Sequence, residues 1–187
     1  MALGLNDVDV EGMKELDRKV RENPALGKRT VKLRSTWQRG VKALVEIGSQ
    51  EIRGKAATPP TRRFFVTMDA PAGLGGVDAA ATAAETMLAA FAGCITSGIA
   101  ANAALFDVPI EALSVDMEAD IDFRGLLGHD KSVRNGFTDI RYAVTIQSPA
   151  PEERVRRCKE TIDRKSPVGD TLAKPVNISS TFVHKRS

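Results

Sequence analysis

The chain has 187 residues, 42% hydrophobic and 27% charged, which is ordinary globular composition. That excludes a disordered or collagen-like chain, and the length suits about one domain at roughly 100–200 residues each, able to fold without disulfides or metal. Its 27 basic and 24 acidic residues give a net charge of +3, and only 5% of residues are aromatic. So even a balance, with so little stacking surface, does not indicate a nucleic-acid partner.

The first predicted element is an amphipathic helix over 6–22. Asn6 or Asp7 is its candidate N-cap, its apolar stripe is Val8, Val10, Met13, Leu16 and Val20, and it stops before Asn23-Pro24. The residues before it lack both a basic n-region and an apolar h-region, which predicts no signal peptide and a reducing, cytoplasmic location. From Thr30 the period becomes two. Val31, Leu33, Ser35 and Trp37 form one strand face, Val41, Ala43, Val45 and Ile47 a second, with Gln38-Arg39-Gly40 as the turn. A Pro- and Arg-rich loop, Arg53 to Arg63, precedes a short strand, Phe64 to Met68.

Residues 79–106 differ from everything around them, with Glu85 as the one formal charge. Membrane insertion is disfavoured, because the stretch is rich in alanine, is interrupted by Thr, Ser and Asn, and is flanked by Asp78 and Asp107 without a basic anchor. A helix that is apolar all round is expected to be buried all round. One small sheet cannot wrap it, so a second copy of the chain is the expected cover.

Leu113, Val115, Met117, Ala119, Ile121 and Phe123 then alternate with Ser and charged residues, predicting a half-buried strand. Ile140, Tyr142, Val144 and Ile146 form the face of its partner across the connection Gly125 to Gly136. Pro149 and Pro151 open a helix with Glu152 and Glu153 in its first turn and Val155, Cys158 and Ile162 on its apolar stripe. Ser166-Pro167 ends that helix. Val176, Ile178, Ser180 and Phe182 are expected to form a last strand. The order is α+β.

Cys94, within Ala-Phe-Ala-Gly-Cys94-Ile-Thr-Ser, is either a small core hydrophobe or a reactive thiol, which would need a cation, a helix N-terminus or a hydrogen-bond donor beside it. Gly93 next to it would ease either a substrate's approach or helix–helix contact. Glu85 is either a first-turn charge that suits the helix dipole or one half of an arginine pair. Nine residues of helix turn through about 900°, so Glu85 and Cys94 lie on opposite faces of a straight helix. The run Asp116, Glu118, Asp120, Asp122 marks a solvated sheet face rather than a site for a hard cation. His129 and His184 have no ligand-like spacing, so no metal is expected. Gly73-Leu-Gly-Gly76 lacks the Gly-Lys-Ser/Thr ending of a phosphate loop, and no cofactor is expected. Cys158 reads as core.

Four stretches together resemble the OsmC/Ohr family of hydroperoxide-resistance proteins. They are Asp69-Ala-Pro-Ala-Gly-Leu-Gly-Gly-Val-Asp78, Glu85-Thr-Met-Leu-Ala-Ala-Phe-Ala-Gly-Cys94, Asp122-Phe-Arg-Gly-Leu-Leu-Gly128, and Ser166-Pro-Val-Gly-Asp-Thr-Leu172 followed by Pro175-Val-Asn-Ile178. The resemblance runs from about Thr30 to Phe182. It implies an N-terminal extension over 1–28 and one OsmC-like domain over 29–187, with strands in 29–68, the central helix at 78–106, and further strands and a helix in 112–183. The implied fold is α+β, antiparallel sheets around a long buried central helix in an intertwined homodimer.

The resemblance also implies reduction of organic hydroperoxides by a cysteine pair, with an arginine held by a glutamate beside the peroxidatic thiolate. Cys94 falls at the peroxidatic position. At the resolving position this chain has Ser166, which cannot form a disulfide. Cys158 lies eight residues upstream, about 12 Å along a helix. Glu85 stands one residue later than the family's glutamate, where this chain has Ala84. Arg39 matches the arginine, but Gln38 replaces the glycine before it. The functional expectation is therefore a one-cysteine hydroperoxide reductase acting in oxidative-stress defence. Cys94, Glu85 and Arg39 would be its catalytic residues, and an external thiol its reductant. The alternative is a non-catalytic dimer that binds a small lipophilic ligand or serves as an interaction module.

Overall fold

The computed structural model describes residues 3–186, and its chain forms two compact units that divide after Ala90. The first begins with helix α1 (Val10–Glu22). Its cap is Asp9, whose carboxylate accepts from the Gly12 N–H at 2.9 Å, rather than Asn6 or Asp7. Those two residues sit in a preceding 3₁₀ turn at φ 58 and 56, a left-handed conformation that cannot present an N-cap.

Strands β1 (Arg29–Trp37) and β2 (Ala43–Ile52) pair antiparallel with Trp37 opposite Ala43. The expected hairpin is present with a longer turn, so Val41 belongs to the connection and β2 runs on to Ile52. The basic loop folds back as a two-residue strand, β3 (Lys55–Ala56), after a turn in which Arg53 and Gly54 have φ 52 and 75. Strand β4 (Phe64–Met68) pairs with β2 on the edge opposite β1, the edge that β3 also uses. Within this unit β1 is exposed along its whole length, Val31, Leu33 and Trp37 included.

Helix α2 (Ala83–Leu105) starts later than the alanine run suggests. The preceding loop is organised by Asp69, whose Oδ2 accepts from the N–H groups of Val77 (3.3 Å) and Ala79 (3.0 Å). Thr82 then caps the helix. Its hydroxyl accepts from the Glu85 N–H, and the Glu85 carboxylate accepts in return from the Thr82 N–H, which is a capping box. By length and composition α2 could cross a membrane. In this chain it is buried on one stripe only, Phe91, Ile95, Ile99, Ala103 and Ala104, not on all sides.

The unit from Phe91 onward is built on that stripe. Strands β5 (Ala112–Ile121) and β6 (Phe137–Gln147) form a two-stranded antiparallel sheet with Val115 opposite Val144. Leu113, Val115, Met117, Ile140, Tyr142, Val144 and Ile146 pack on the core of Ile95, Ile99, Val108, Cys158 and Ile162. Asp116, Glu118 and Asp120 alternate outward, and Arg141 bridges Glu118 and Asp120. Phe123 does not continue β5. Asp122 accepts from the Arg124 N–H at 2.9 Å and starts the single-turn helix α3 (Phe123–Leu126).

Helix α4 (Glu152–Lys165) buries Cys158 and Ile162, as its stripe predicts. Ser166 ends it and at once caps a further helix, α5 (Pro167–Ala173), which the periodicity did not suggest. The expected last strand is absent. Beyond α5 the described residues have no regular structure, and Ile178 and Phe182 are almost fully exposed. Alternation makes a segment fit to be a strand, but a strand exists only where a neighbour supplies the other half of its hydrogen-bond ladder.

Candidate functional site

Cys94 lies in the fourth turn of α2 and is half-buried. Its Sγ is 3.2 Å from the Oγ of Ser166, at the α4–α5 junction. Ser166 is 2% exposed, and its Oγ accepts from the Gly169 N–H at 3.0 Å. Helix α5 starts here because serine is a favoured cap and Pro167 is preset for the first helical position.

A wall of packed rings stands behind this pair. Phe91, one turn before Cys94, meets Tyr142 edge to face at 5.6 Å. A Cβ on Gly169 would come within 3.1 Å of the Phe91 ring and 3.2 Å of Ser166 Oγ, so glycine is what lets α5 close on both. The Tyr142 hydroxyl donates to Asp163 at 2.7 Å, and Lys159 holds Asp163 at 2.7 Å. Burial, then the Asp163 carboxylate, push the Tyr142 phenol up to about 12.

The second seam contact lies one helical turn along from the Cys94–Ser166 pair. Gly98 of α2 faces Ile162 of α4 so closely that a Cβ would fall 2.2 Å from Ile162 Cδ1. Gly98 is thus the packing glycine of α2, whereas Gly93 faces open space. Cys158 is 1% exposed, its thiol donates to the Arg154 carbonyl at 3.3 Å, and burial raises its pKa above the usual thiol range. It is a core thiol, as the helix stripe implied.

Glu85 and Arg39 belong to the other unit. The Glu85 carboxylate is engaged in the capping box, where the Thr82 N–H and hydroxyl hold it below the usual carboxylate range. Arg39 sits in the β1–β2 turn, which Trp37 closes by donating its indole N–H to the Gly40 carbonyl at 2.8 Å. It lines a hollow of about 230 Å³ with Val41, Lys42, Asp69 and residues 75–77. Asp69, missed as a site residue by sequence reasoning, is buried, with its Oδ1 unpartnered among the described residues and Lys42 Nζ 3.9 Å from Oδ2. The Ala79 N–H, foremost, holds its carboxyl below the usual range. Of the four residues singled out, the structure joins Cys94 to Ser166.

A family model described as OsmC-like protein matches residues 75–181, more than half of the chain. The chain belongs to the OsmC-like protein family. Among solved structures, an OsmC-like protein from Mycoplasma pneumoniae is similar at a TM-score of 0.59 and 14% identity, covering 83% of this chain and 98% of that one. An OsmC-like protein from Vibrio cholerae gives a TM-score of 0.51 at 11% identity, covering 76% and 92%. An organic hydroperoxide resistance protein, OsmC, from Legionella pneumophila gives 0.49 at 16% identity, covering 76% and 88%. No curated protein matches the sequence. At such identities the likeness to the first two is one of fold, and it bears out the α+β, OsmC-like architecture.

Proposed function

We propose that this OsmC-like protein is a thiol-dependent organic hydroperoxide reductase of one-cysteine type, working in oxidative-stress defence in the cytoplasm. The observation that carries this reading is the half-buried Cys94 with a hydrogen-bonding hydroxyl 3.2 Å from its sulfur. The Cys94 thiolate attacks one oxygen of the hydroperoxide. The S–O bond forms as the O–O bond breaks, and the alkoxide leaves and takes a proton to become the alcohol. Cys94 is then a sulfenic acid. Ser166 has no sulfur with which to condense, so an external thiol attacks instead, releasing water and forming a mixed disulfide. A second external thiol then frees Cys94. In this reading Arg39 or another arginine polarises the Cys94 thiolate and Glu85 orients it.

The assembly in this reading is a homodimer. Val31, Leu33 and Trp37 are 59%, 62% and 72% exposed on β1, and α2 is covered on one stripe only, an apolar surface that a second copy would bury. The rival reading is a non-catalytic dimer that binds a small lipophilic ligand or serves as an interaction module, favoured by the serine at 166. Single-turnover reaction with an organic hydroperoxide, followed by trapping with a dione and mass spectrometry, separates the two. Stoichiometric sulfenic acid at Cys94, lost in Cys94→Ser, is the expected result. A Cys94 still reduced after excess hydroperoxide refutes the enzyme and leaves the binder.

A further inference from the structure

We infer that Ser166 is a working residue of the Cys94 site, a hydrogen-bond donor aimed at the reacting sulfur by the Gly169 N–H, and not merely the place where a second cysteine is missing. The inference deepens the proposed function and rests on Cys94 being the reactive thiol.

A serine hydroxyl has one proton and two lone pairs. The Gly169 N–H occupies one lone pair at 3.0 Å, and Cys94 Sγ lies 3.2 Å from the same oxygen. With the thiol protonated, either group can donate. Once the sulfur is ionised it can only accept, so the serine proton turns to it. The Gly169 N–H pulls electron density from the same oxygen and strengthens that donation. Ser166 is 2% exposed, so water does not compete for its hydroxyl as it would at a surface. Glycine at 169 also leaves room for this approach, because a Cβ there would fall 3.2 Å from Ser166 Oγ and 3.1 Å from the Phe91 ring. The same hydroxyl remains beside the sulfur after oxidation. It can donate to the sulfenate without reacting with it, which keeps the oxidised sulfur available to an external thiol.

The test compares Ser166→Ala and Ser166→Cys with the natural protein, using iodoacetamide alkylation of Cys94 across pH. Loss of a hydrogen bond to a charged group in Ser166→Ala is expected to displace the alkylation profile upward by about one pH unit, a roughly tenfold slower reaction at neutral pH. Ser166→Cys reports the juxtaposition directly. Diamide, accepting the two thiol hydrogens, should join Cys94 to the introduced thiol within one chain, because 3.2 Å needs only about 1 Å of closure to reach a disulfide. An unchanged profile in Ser166→Ala overturns the donor role, and absence of the intrachain bond in Ser166→Cys overturns the geometry. Neither measurement uses hydroperoxide. A Cys94 inert to hydroperoxide with both results positive would therefore refute the reductase and leave this inference standing.

Discussion

Gly98→Ala tests whether the α2–α4 seam sets the Cys94–Ser166 distance. A methyl at Gly98 would fall 2.2 Å from Ile162 Cδ1, 2.3 Å from Cγ1 and 3.2 Å from Cβ. Favourable carbon–carbon separations are about 3.5–4.0 Å, so the helices must part by more than about 1 Å or Ile162 must leave its rotamer. Overpacking of that kind costs about 1–3 kcal/mol, offset by about 1 kcal/mol from replacing a mid-helix glycine. A net loss of about 1 kcal/mol is expected, read as a lower urea midpoint at unchanged slope. Ile162→Ala alone empties a buried position and should cost about 2–5 kcal/mol. The double variant should cost less than the sum of the two by about 1–3 kcal/mol, because Ile162→Ala removes the two nearest clashing atoms and the new methyl refills part of the space. Coupling within about 0.5 kcal/mol of zero would refute the seam geometry. Cys94 and Ser166 lie one turn from Gly98 and Ile162, so Gly98→Ala should also slow Cys94 alkylation, and Ile162→Ala should restore it.

Under native conditions iodoacetamide should label Cys94 and spare Cys158, whose thiol is buried and raised; equal labelling rates before unfolding would contradict the core assignment. Tyr142 has its pKa raised in the folded state. Its stabilising contribution should be complete below about 10, its ordinary value, and lost as pH rises toward about 12. Chemical melts between pH 9 and 12 should show that loss in the natural protein, and a smaller one in Tyr142→Phe. Asp69 has a lowered pKa, so its contribution is present above the ordinary carboxylate range and lost as pH falls through its folded value. Hydrogen exchange at Val77 and Ala79 should therefore accelerate in acid, and Asp69→Ala should already exchange fast at neutral pH. Equal protection in both proteins would remove Asp69 as the loop's anchor.

Where the sequence has strict alternation or a strict stripe, it could be read directly. β5, β6 and α4 follow from Val115, Val144 and Ile162 because a half-buried strand and a one-faced helix each leave a period. The central helix was legible in its C-terminal end but neither in its start, which Thr82 sets by capping, nor in its burial, since a helix apolar all round carries no information about which face meets its own chain. Asn6 and Asp7 looked like caps by residue type, yet capping needs an extended backbone that their left-handed φ values deny. Val176 to Phe182 has a strand's pattern without a neighbour to pair with, and pairing is non-local. The site was half legible. Cys94 and Ser166 could be picked out, but their contact depends on α5, whose start signal, serine followed by proline, reads equally well as the end of α4. Asp69 gave no periodic signal, because its work is done through loop amides.

The chain holds one tryptophan and one tyrosine. Trp37 is in the unit that ends at Ala90, 72% exposed and tied to the turn that carries Arg39. Tyr142 is in the other, packed edge-on against Phe91. Each unit thus contains its own chromophore. Emission excited at the red edge of the indole band reports on the first alone, and tyrosine absorbance on the second. Two optical signals, free of any label, can therefore show whether the halves of the chain melt as one body or in turn, and whether a ligand is felt at the Arg39 turn.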